Sequence, residues 1–285
     1  FLKAIKNKVE IKNSIKSHIH DGVALTKFLF WVQKNFKKKR ITEISAQNKL
    51  LSLRKNNKFF KFLSFPTISG SGPNGAIIHY KATKKTNRVL KRGDLYLVDS
   101  GAQYNFGTTD VTRTISLDNN NERIKNIFTR VLKGHIAVAS YKINKNTTGS
   151  NIDHLARKYL MDVGLNYAHG TGHGVGYFSN VHEGPYGISK GNKIKLKEGM
   201  IISNEPGYYE KNNFGIRIEN LIYVKKNKKL FFENLTLAPI EKELINYKLL
   251  NASEKNYLIK YHLSIYSKIS KYLNLKERKW LASFI

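Results

Sequence analysis

The sequence predicts a mixed domain, α/β or α+β, of roughly 235 residues that ends in a helical tail. Three observations lead to this prediction. Two stretches with helical periodicity open the chain, and short β-like segments then alternate with further helical stretches. Ala238-Pro239 marks a break, after which only helical spacing continues. With 285 residues and a hydrophobic fraction of 41%, the chain can bury a substantial core.

The first part of the chain is predicted to form two helices and a turn-rich segment. Residues 8–36 form the first, because apolar side chains such as Ile15 and Ile19 recur at helical spacing. A second helix is predicted to open at Thr42 and to end near residue 56. The glycine, serine and proline residues of 65–75 then predict turns rather than regular structure.

The middle of the chain alternates between strand-like and helix-like segments. Residues 121–141 and 150–163 are predicted helices, and the tail over 252–285 is predicted to be helical as well. Segments rich in β-branched and aromatic residues predict strands. They read GAIIHY, LYLVDSGA, TTDVTRTISL, MIISNEPGYY and FGIRIENLIYV.

The charge of the chain is strongly basic but diffuse. Fifty lysine and arginine residues against twenty acidic ones give a net charge of +30, which would attract nucleic acid or an anionic membrane. The lysines spread over the whole length and accompany abundant asparagine and isoleucine, a pattern typical of compositional drift. We therefore expect no nucleic-acid partner, and the alternative stays open to a binding test at physiological ionic strength.

Composition also excludes several kinds of site. There is no cysteine, which excludes disulfides, cysteine–zinc sites and thiolate catalysis. No window reaches the roughly 18 consecutive apolar residues of a membrane span, so no membrane partner is expected. The first residues are too densely charged for a signal peptide, and a cytoplasmic location is the expectation.

Asp99 and Asp110 are the first candidates for metal ligands. They lie eleven residues apart on two strand-like runs, and Gly101 and Gly107 punctuate the connection, so a hairpin could bring the carboxylates together. An aspartate that ends an apolar run is costly to bury unless a cation neutralises it. For either aspartate taken alone, a strand-end cap or turn residue remains the simpler interpretation.

Glu205, Glu219 and His173 are the second group of candidates. Glu205 precedes Pro206, where a strand must stop because proline cannot donate to the ladder. Arg217 and Glu219 lie two residues apart and so share a strand face, which is equally consistent with a structural ion pair. His173 lies among glycines, which let backbone approach a site closely.

Four carboxylates and one imidazole suit Mn²⁺ best, with Co²⁺, Fe²⁺ and Zn²⁺ as possible substitutes. A pair of divalent ions about 3.5–4 Å apart would share bridging carboxylates and hold one water between them. Coordination lowers the pKa of such a water from ~15.7 towards ~7, so hydroxide becomes available at neutral pH. Each of these residues taken singly stays ambiguous, and the order in which they occur along the chain is the stronger indication of one shared site.

The order Asp-Asp-His-Glu-Glu resembles that of the pita-bread metallopeptidases, and within them the Xaa-Pro aminopeptidases. The resemblance spans residues 18–220 and rests on long stretches of sequence. These are HIHDGVALTKFL, LSFPTISGSGPNGAIIHY, LVDSGAQYNFGTTDVTRT, VLKGHIAVA, HGTGHGVGYFSNVHEGP and NEPGYYEKNNFGIRIEN. It implies an α+β pita-bread fold, in which two pseudo-two-fold halves form a curved antiparallel sheet flanked by helices. It also implies a catalytic domain over 1–237 and a C-terminal helical extension over 238–285.

The resemblance implies a role for each matching residue. The dimetal ligands would be Asp99, Asp110, His173, Glu205 and Glu219. Within this set, Asp110 and Glu219 would bridge the two ions. Glu205 would take a proton from the nucleophilic water and deliver one to the leaving nitrogen.

Five further positions match the same family. His79, His169 and His182 would bind substrate and stabilise the oxyanion, and Arg217 and Tyr209 would form a hydrogen-bond relay behind the metals. Without the family, each histidine is more simply interpreted as a loop or core residue.

The implied function is hydrolysis of the N-terminal Xaa-Pro bond by a metal-bridging hydroxide, on peptides with proline at position two. Methionine aminopeptidase and prolidase share the ligand pattern and stay open as alternatives, and so does a pita-bread binding module without catalysis. Retention of all five ligands disfavours the binding module. The resemblance further implies a longer parent with two N-terminal domains that forms a homodimer.

Overall fold

The computed structural model describes residues 2–119 and 121–285. In this part of the chain the α-helices fall where helical spacing predicted them. They are α1 (Lys8–Asn35), α2 (Glu43–Lys55), α3 (Glu122–Ala139), α4 (Gly149–Met161), α5 (Ala252–Ile269) and α6 (Leu275–Ala282).

Side-chain caps define where several of these helices begin. At α1, the Asn7 side chain accepts hydrogen bonds from the backbone of Val9 and Glu10, and the Glu10 carboxylate accepts one from the Asn7 amide in return. The same capping box, an asparagine followed three residues later by glutamate, opens α5 and α6. Because these caps are local, the helix starts could be read from sequence.

The strands are mostly short, and every pairing between them is antiparallel. In the first half they are β1 (Phe60–Leu63), β2 (Ile68–Ser71), β3 (Leu95–Ser100), β4 (Ala102–Tyr104), β5 (Gly107–Thr108) and β6 (Val111–Ser116). In the second half they are β7 (Lys142–Ile143), β8 (Gly172–His173), β9 (Gly187–Ile188), β10 (Ile201–Asn204), β11 (Gly207–Glu210), β12 (Phe214–Arg217), β13 (Asn220–Lys226) and β14 (Leu230–Asn234).

Each half contributes two helices and a main sheet, and in the second half β7 of that sheet lies between α3 and α4 along the chain. The order is β2-β3-β6 in the first half and β10-β13-β14-β7 in the second. The halves are joined beside β6, where the Glu219 amide donates to the Thr112 carbonyl oxygen at 3.2 Å and the Arg217 amide donates to Thr114 Oγ1 at 3.0 Å. The second-half residues predicted as ligands are thus held against a first-half strand.

Two local predictions were wrong. Ile68–Ser71, expected to be a turn, is the fully buried strand β2, whereas GAIIHY, expected to be a strand, begins in a 3₁₀ helix and continues as turns. The buried carboxylate of Glu43 explains both, because it accepts hydrogen bonds from the Ser71 amide, the Asn74 side chain and the Tyr80 hydroxyl. This partner lies more than 25 residues away in sequence, so local propensity did not reveal it.

The C-terminal helices share a hydrophobic core with the sheet domain. Leu258, Ile265 and Leu281 belong to the same buried cluster as Phe128 of α3 and Ile216 of β12. Among the described residues, no helix is both long enough and apolar enough to cross a bilayer.

Candidate metal centre

Paired strands place the two aspartates side by side. Strands β3 and β6 are antiparallel, with Asp99 opposite Thr112 and Asp110 directly before the first residue of β6. The connection between them is longer than a tight hairpin, because residues 102–108 form β4 and β5 and extend the pairing to β1. Both aspartates are nevertheless buried at the same end of the β3–β6 pair.

The second half brings its candidates to the same place. Strand β10 ends at Asn204, and the Glu205 amide then donates to the Thr171 carbonyl oxygen at 2.8 Å. His173 lies in β8, where its amide donates to the Ser203 hydroxyl at 2.9 Å. Gly172 is required beside it, since any Cβ there would clash with the Ser203 carbonyl oxygen.

A cavity of about 360 Å³ lies between the two halves. All five candidate ligands line it: Asp99, Asp110, His173, Glu205 and Glu219. His79, His182 and Arg217 line it as well, whereas His169 and Tyr209 are not among its lining residues and are linked to it by the hydrogen bond from Arg217 to Tyr209. The remainder of the wall is largely apolar, with Phe65, Pro66, Ile68, Ile78 and Val181.

The donor atoms are close enough to share a cation. One ligand atom each from Asp110, His173 and Glu219 lie within 4.8 Å of one another. His173 Nδ1 faces the Gly174 carbonyl oxygen at 2.9 Å, so this nitrogen carries the hydrogen and donates it. Nε2 therefore faces Asp110 Oδ2 at 3.5 Å and Glu205 Oε1 at 3.3 Å. This orientation is the one that a metal-binding histidine needs.

The cavity concentrates buried carboxyl groups, which positive charge would stabilise. Burial and then the neighbouring carboxylates raise the pKa of Glu219 well above its ordinary value, and burial raises the pKa of Asp99 and brings that of Asp110 to about 7. Within the described residues, the buried Oδ1 atoms of Asp99 and Asp110 have no hydrogen-bond partner. Because such orphaned oxygens are costly, the arrangement fits bound divalent cations.

A hydrogen-bond relay lies behind the candidate ligands. Arg217 donates to Asp99 Oδ2 at 2.7 Å and to the Tyr209 hydroxyl at 2.7 Å. His169 Nδ1 donates to the Gly170 carbonyl oxygen, so its Nε2 accepts from Tyr209 at 2.8 Å. Burial alone lowers the pKa of Arg217, but Tyr209 and Asp99 outweigh it and raise that pKa, which keeps the guanidinium charged.

Two hydroxyls that sequence reasoning missed support this arrangement. Thr112 Oγ1 donates to Glu219 Oε2 at 2.7 Å and accepts from Arg217 Nε at 3.1 Å. Ser203 Oγ donates to Glu205 Oε1 at 2.9 Å. Each hydroxyl lies two residues before or after a candidate ligand and therefore on the same strand face, so strand periodicity could have identified them.

His182 and His79 face the cavity from loops. The His182 ring packs edge-on against His173, with centroids 4.1 Å apart. Burial and the neighbouring His173 charge lower the pKa of His182, so the neutral imidazole prevails. His79 follows the 3₁₀ turn of residues 72–76 that Glu43 organises.

The fold is that of the pita-bread class. The sequence profile of metallopeptidase family M24 matches residues 13–226, and that of the C-terminal region of peptidase M24 matches residues 228–283. The chain belongs to metallopeptidase family M24.

The most informative relatives carry the names of Xaa-Pro aminopeptidases. The chain is 46% identical over 295 residues to a probable Xaa-Pro aminopeptidase P of Laccaria bicolor, covering 98% of this chain and 46% of the relative. It is 45% identical over 301 residues to Xaa-Pro aminopeptidase 1 of Dictyostelium discoideum, covering 99% and 48%. It therefore spans about half the length of these curated relatives.

Solved structures show the same fold. X-prolyl aminopeptidase from Caenorhabditis elegans, described as a cytosolic enzyme with a di-nuclear active site, superimposes with a TM-score of 0.95 at 39% identity. That match covers 99% of this chain and 48% of the worm protein. Prolidase from Pyrococcus furiosus gives a TM-score of 0.71 at 30% identity, covering 82% and 66%. The predicted pita-bread fold is confirmed.

Proposed function

We propose that the protein is a dinuclear-metal aminopeptidase that hydrolyses the bond between an N-terminal residue and a following proline. The observation that carries this proposal is the single cavity in which four carboxylates and one imidazole converge beside an apolar wall. The Xaa-Pro aminopeptidase names of the relatives support the substrate class.

The cavity suits a bond to proline. Proline nitrogen carries no hydrogen, so an enzyme cannot hold this bond through a scissile N–H and needs another means of positioning. Phe65, Ile68, Ile78 and Val181 offer an apolar surface for the pyrrolidine ring. His79 and His182 lie on the same cavity and supply hydrogen-bond donors for the substrate carbonyl oxygen.

Each ligand then has a chemical task. Asp99, Asp110, His173, Glu205 and Glu219 would hold two divalent ions, of which Mn²⁺ fits the oxygen-rich set best. When bound, such ions lower the pKa of a water that can attack the carbonyl carbon. Asp110 and Glu219 are the proposed bridges. Glu205 would accept a proton from that water and return it to the proline nitrogen, while Ser203 fixes its carboxylate.

The decisive assay compares three tripeptides on the full-length gene product loaded with Mn²⁺. We expect release of the first residue from Xaa-Pro-Yaa and little from Xaa-Ala-Yaa or Met-Ala-Yaa. Faster cleavage of Met-Ala-Yaa would identify a methionine aminopeptidase. Inactivity on all three, with two ions per chain measured by mass spectrometry, would favour a pita-bread binding module.

Prolidase is the second candidate, because solved prolidases share the fold at about 30% identity. A prolidase cleaves the dipeptide Xaa-Pro, whereas an aminopeptidase of the proposed kind requires or prefers a longer peptide. The ratio of the rates on Ala-Pro and Ala-Pro-Gly therefore separates the two functions.

Two further predictions, on cellular location and on oligomeric state, accompany this proposal. We propose a cytoplasmic enzyme, which the description of the worm relative as cytosolic supports. The predicted homodimer of the full-length protein stays a prediction, for which light scattering of that protein is the direct measurement.

A further inference from the structure

An open groove of about 480 Å³ lies beside the candidate active site. It shares the lining residues Val181 and His182 with the catalytic cavity, so the two spaces lie side by side. Its walls come from β1, from β4 and from the loop that follows β8. The lining residues are Phe62, Ser64, Gln103, Phe178, Ser179, Asn180, Val181 and His182.

Two phenylalanines are held at this groove without being buried. Phe62 is 57% exposed and Phe178 is 46% exposed, with their ring centroids 6.2 Å apart. Phe178 adopts a φ of 45°, in the left-handed region that a bulky side chain rarely occupies. Backbone strain of this kind persists only where neighbours enforce it, and it is concentrated at functional sites.

Hydrogen bonds fix the loop that carries Phe178. Gln103 Nε2 donates to the Ser179 carbonyl oxygen at 2.7 Å, and the Ser179 amide donates to Thr108 Oγ1 at 3.3 Å. The Gly176 amide donates to the Asn180 carbonyl oxygen at 3.0 Å. The groove is therefore preformed, which lowers the entropic cost of binding a ligand there.

The groove also differs in charge from the rest of the surface. A quarter of the residues of this chain are charged, yet the described residues lining the groove include no aspartate, glutamate, lysine or arginine. A neutral occupant matches this lining, and an apolar side chain matches the two phenyl rings within it. Placing a charged side chain against the two phenyl rings would cost desolvation without an ionic partner.

We propose that the groove is the subsite for the substrate residue after proline, with Phe62 and Phe178 selecting an apolar or aromatic side chain at that position. This inference rests on the proposed function. An enzyme that releases one residue must leave an open path for the rest of the peptide. The open groove beside His182 is placed to supply such a path, because it shares Val181 and His182 with the candidate catalytic cavity.

The test measures kcat/KM of the Mn²⁺-loaded full-length protein on Ala-Pro-Phe-Gly, Ala-Pro-Gly-Gly and Ala-Pro-Glu-Gly. Aromatic contacts of this kind predict that the phenylalanine peptide exceeds the glycine peptide by about three- to tenfold, mainly through KM. The glutamate peptide should be the poorest of the three. In the Phe62→Ala variant the ratio of phenylalanine to glycine peptide should fall towards one.

Phe231→Ala is the matched control, because Phe231 is a partly exposed phenylalanine of β14 outside the groove. This variant should keep the wild-type ratio. Equal rates on the phenylalanine and glycine peptides in the wild-type protein, with both cleaved, would overturn the subsite alone. Failure to cleave any Xaa-Pro peptide would overturn the proposed function and the subsite with it.

Discussion

Thr112 shows how one hydroxyl can order a charged site. Its hydroxyl oxygen accepts a hydrogen bond from Arg217 Nε. Because this contact occupies the acceptor side, the hydroxyl hydrogen points to Glu219 and is donated to its carboxylate. Both contacts are buried, where a lost hydrogen bond leaves a polar group without water to replace it. The orientation of the Glu219 carboxylate is therefore determined by a residue that is not a candidate ligand.

Thr112→Val should weaken metal binding by about 10- to 100-fold, the usual cost of losing a residue that orients a ligand. Valine keeps the shape of threonine but cannot donate to Glu219. Calorimetric titration of the metal-free protein with Mn²⁺ measures the effect. Thr129→Val is the control: Thr129 is equally buried, donates to the Lys125 carbonyl oxygen in α3 and lies outside the cavity. Equal loss of affinity in both variants would contradict the role of Thr112.

The pKa of Asp110 predicts how metal-free protein responds to pH. The folded state raises this pKa from 3.8 to about 7, and the partners of His173 raise its pKa to about 9 against the opposing effect of burial. Both folded groups keep protons that the unfolded chain loses, so stability falls as pH rises from about 4 to 9. Thermal unfolding in EDTA should show a lower Tm at pH 8 than at pH 6.

Metal should reverse this loss. At a Mn²⁺ concentration 100 times Kd, the folded state gains about 3 kcal/mol, so the Tm at pH 8 should rise on addition.

Asp110→Asn should abolish peptide hydrolysis, keep the fold, and flatten the pH dependence in EDTA because the neutral amide does not titrate. An unchanged pH slope in this variant would rule out Asp110 as its source, and retained turnover would contradict the proposed bridge.

At the scale of elements, the site depends on how closely β12 approaches the first half. Gly215 lies against residues 72–76, and a Cβ at this position would clash with the Gly75 carbonyl oxygen. The same strand carries Arg217 and leads directly to Glu219. The absence of a side chain at Gly215 thus permits the close backbone contact that determines where Arg217 and Glu219 lie.

Gly215→Ala should destabilise the protein by about 3 kcal/mol, since the clash is with backbone that cannot move aside. Urea unfolding measures this change. The activity of the folded fraction should fall too, because β12 must shift. Gly191→Ala serves as the control, as a Cβ there meets no atom within 4 Å. Similar losses in both variants would show that a general glycine effect, rather than close approach, is responsible.

At the scale of the whole molecule, the two ends of the chain are packed together. Trp280 of α6 donates from Nε1 to Gln33 Oε1 of α1 at 2.8 Å, across 247 residues of sequence. Arg113 of β6 donates to the Tyr261 hydroxyl of α5 at 2.9 Å and to backbone of residues 238 and 239. The division into residues 1–237 and 238–285 stays a prediction about sequence units, which share one core.

Unfolding should therefore be a single event for both ends. The chain has two tryptophans, Trp31 in α1 and Trp280 in α6, so Trp31→Phe and Trp280→Phe each leave one fluorescent reporter. In each variant, the urea midpoint measured by tryptophan fluorescence should equal the midpoint measured by circular dichroism. An earlier midpoint for Trp280 alone would show that the C-terminal helices unfold independently.

The helices, several sheet strands and the candidate ligands could be predicted from the order of amino acids alone. Helical spacing and capping boxes are local, and the carboxylates and His173 stand in recognisable motifs, so neither needed a long-range partner to be predicted. Strand β2 and the turn that carries His79 could not be predicted, because their shape depends on the Glu43 carboxylate. The contact through which Thr112 orients Glu219, and the set of apolar residues that face the cavity, became visible in the folded chain. Such contacts join residues far apart in sequence. Their energy depends on how deeply the residues are buried, which cannot be inferred from the neighbouring residues in the sequence.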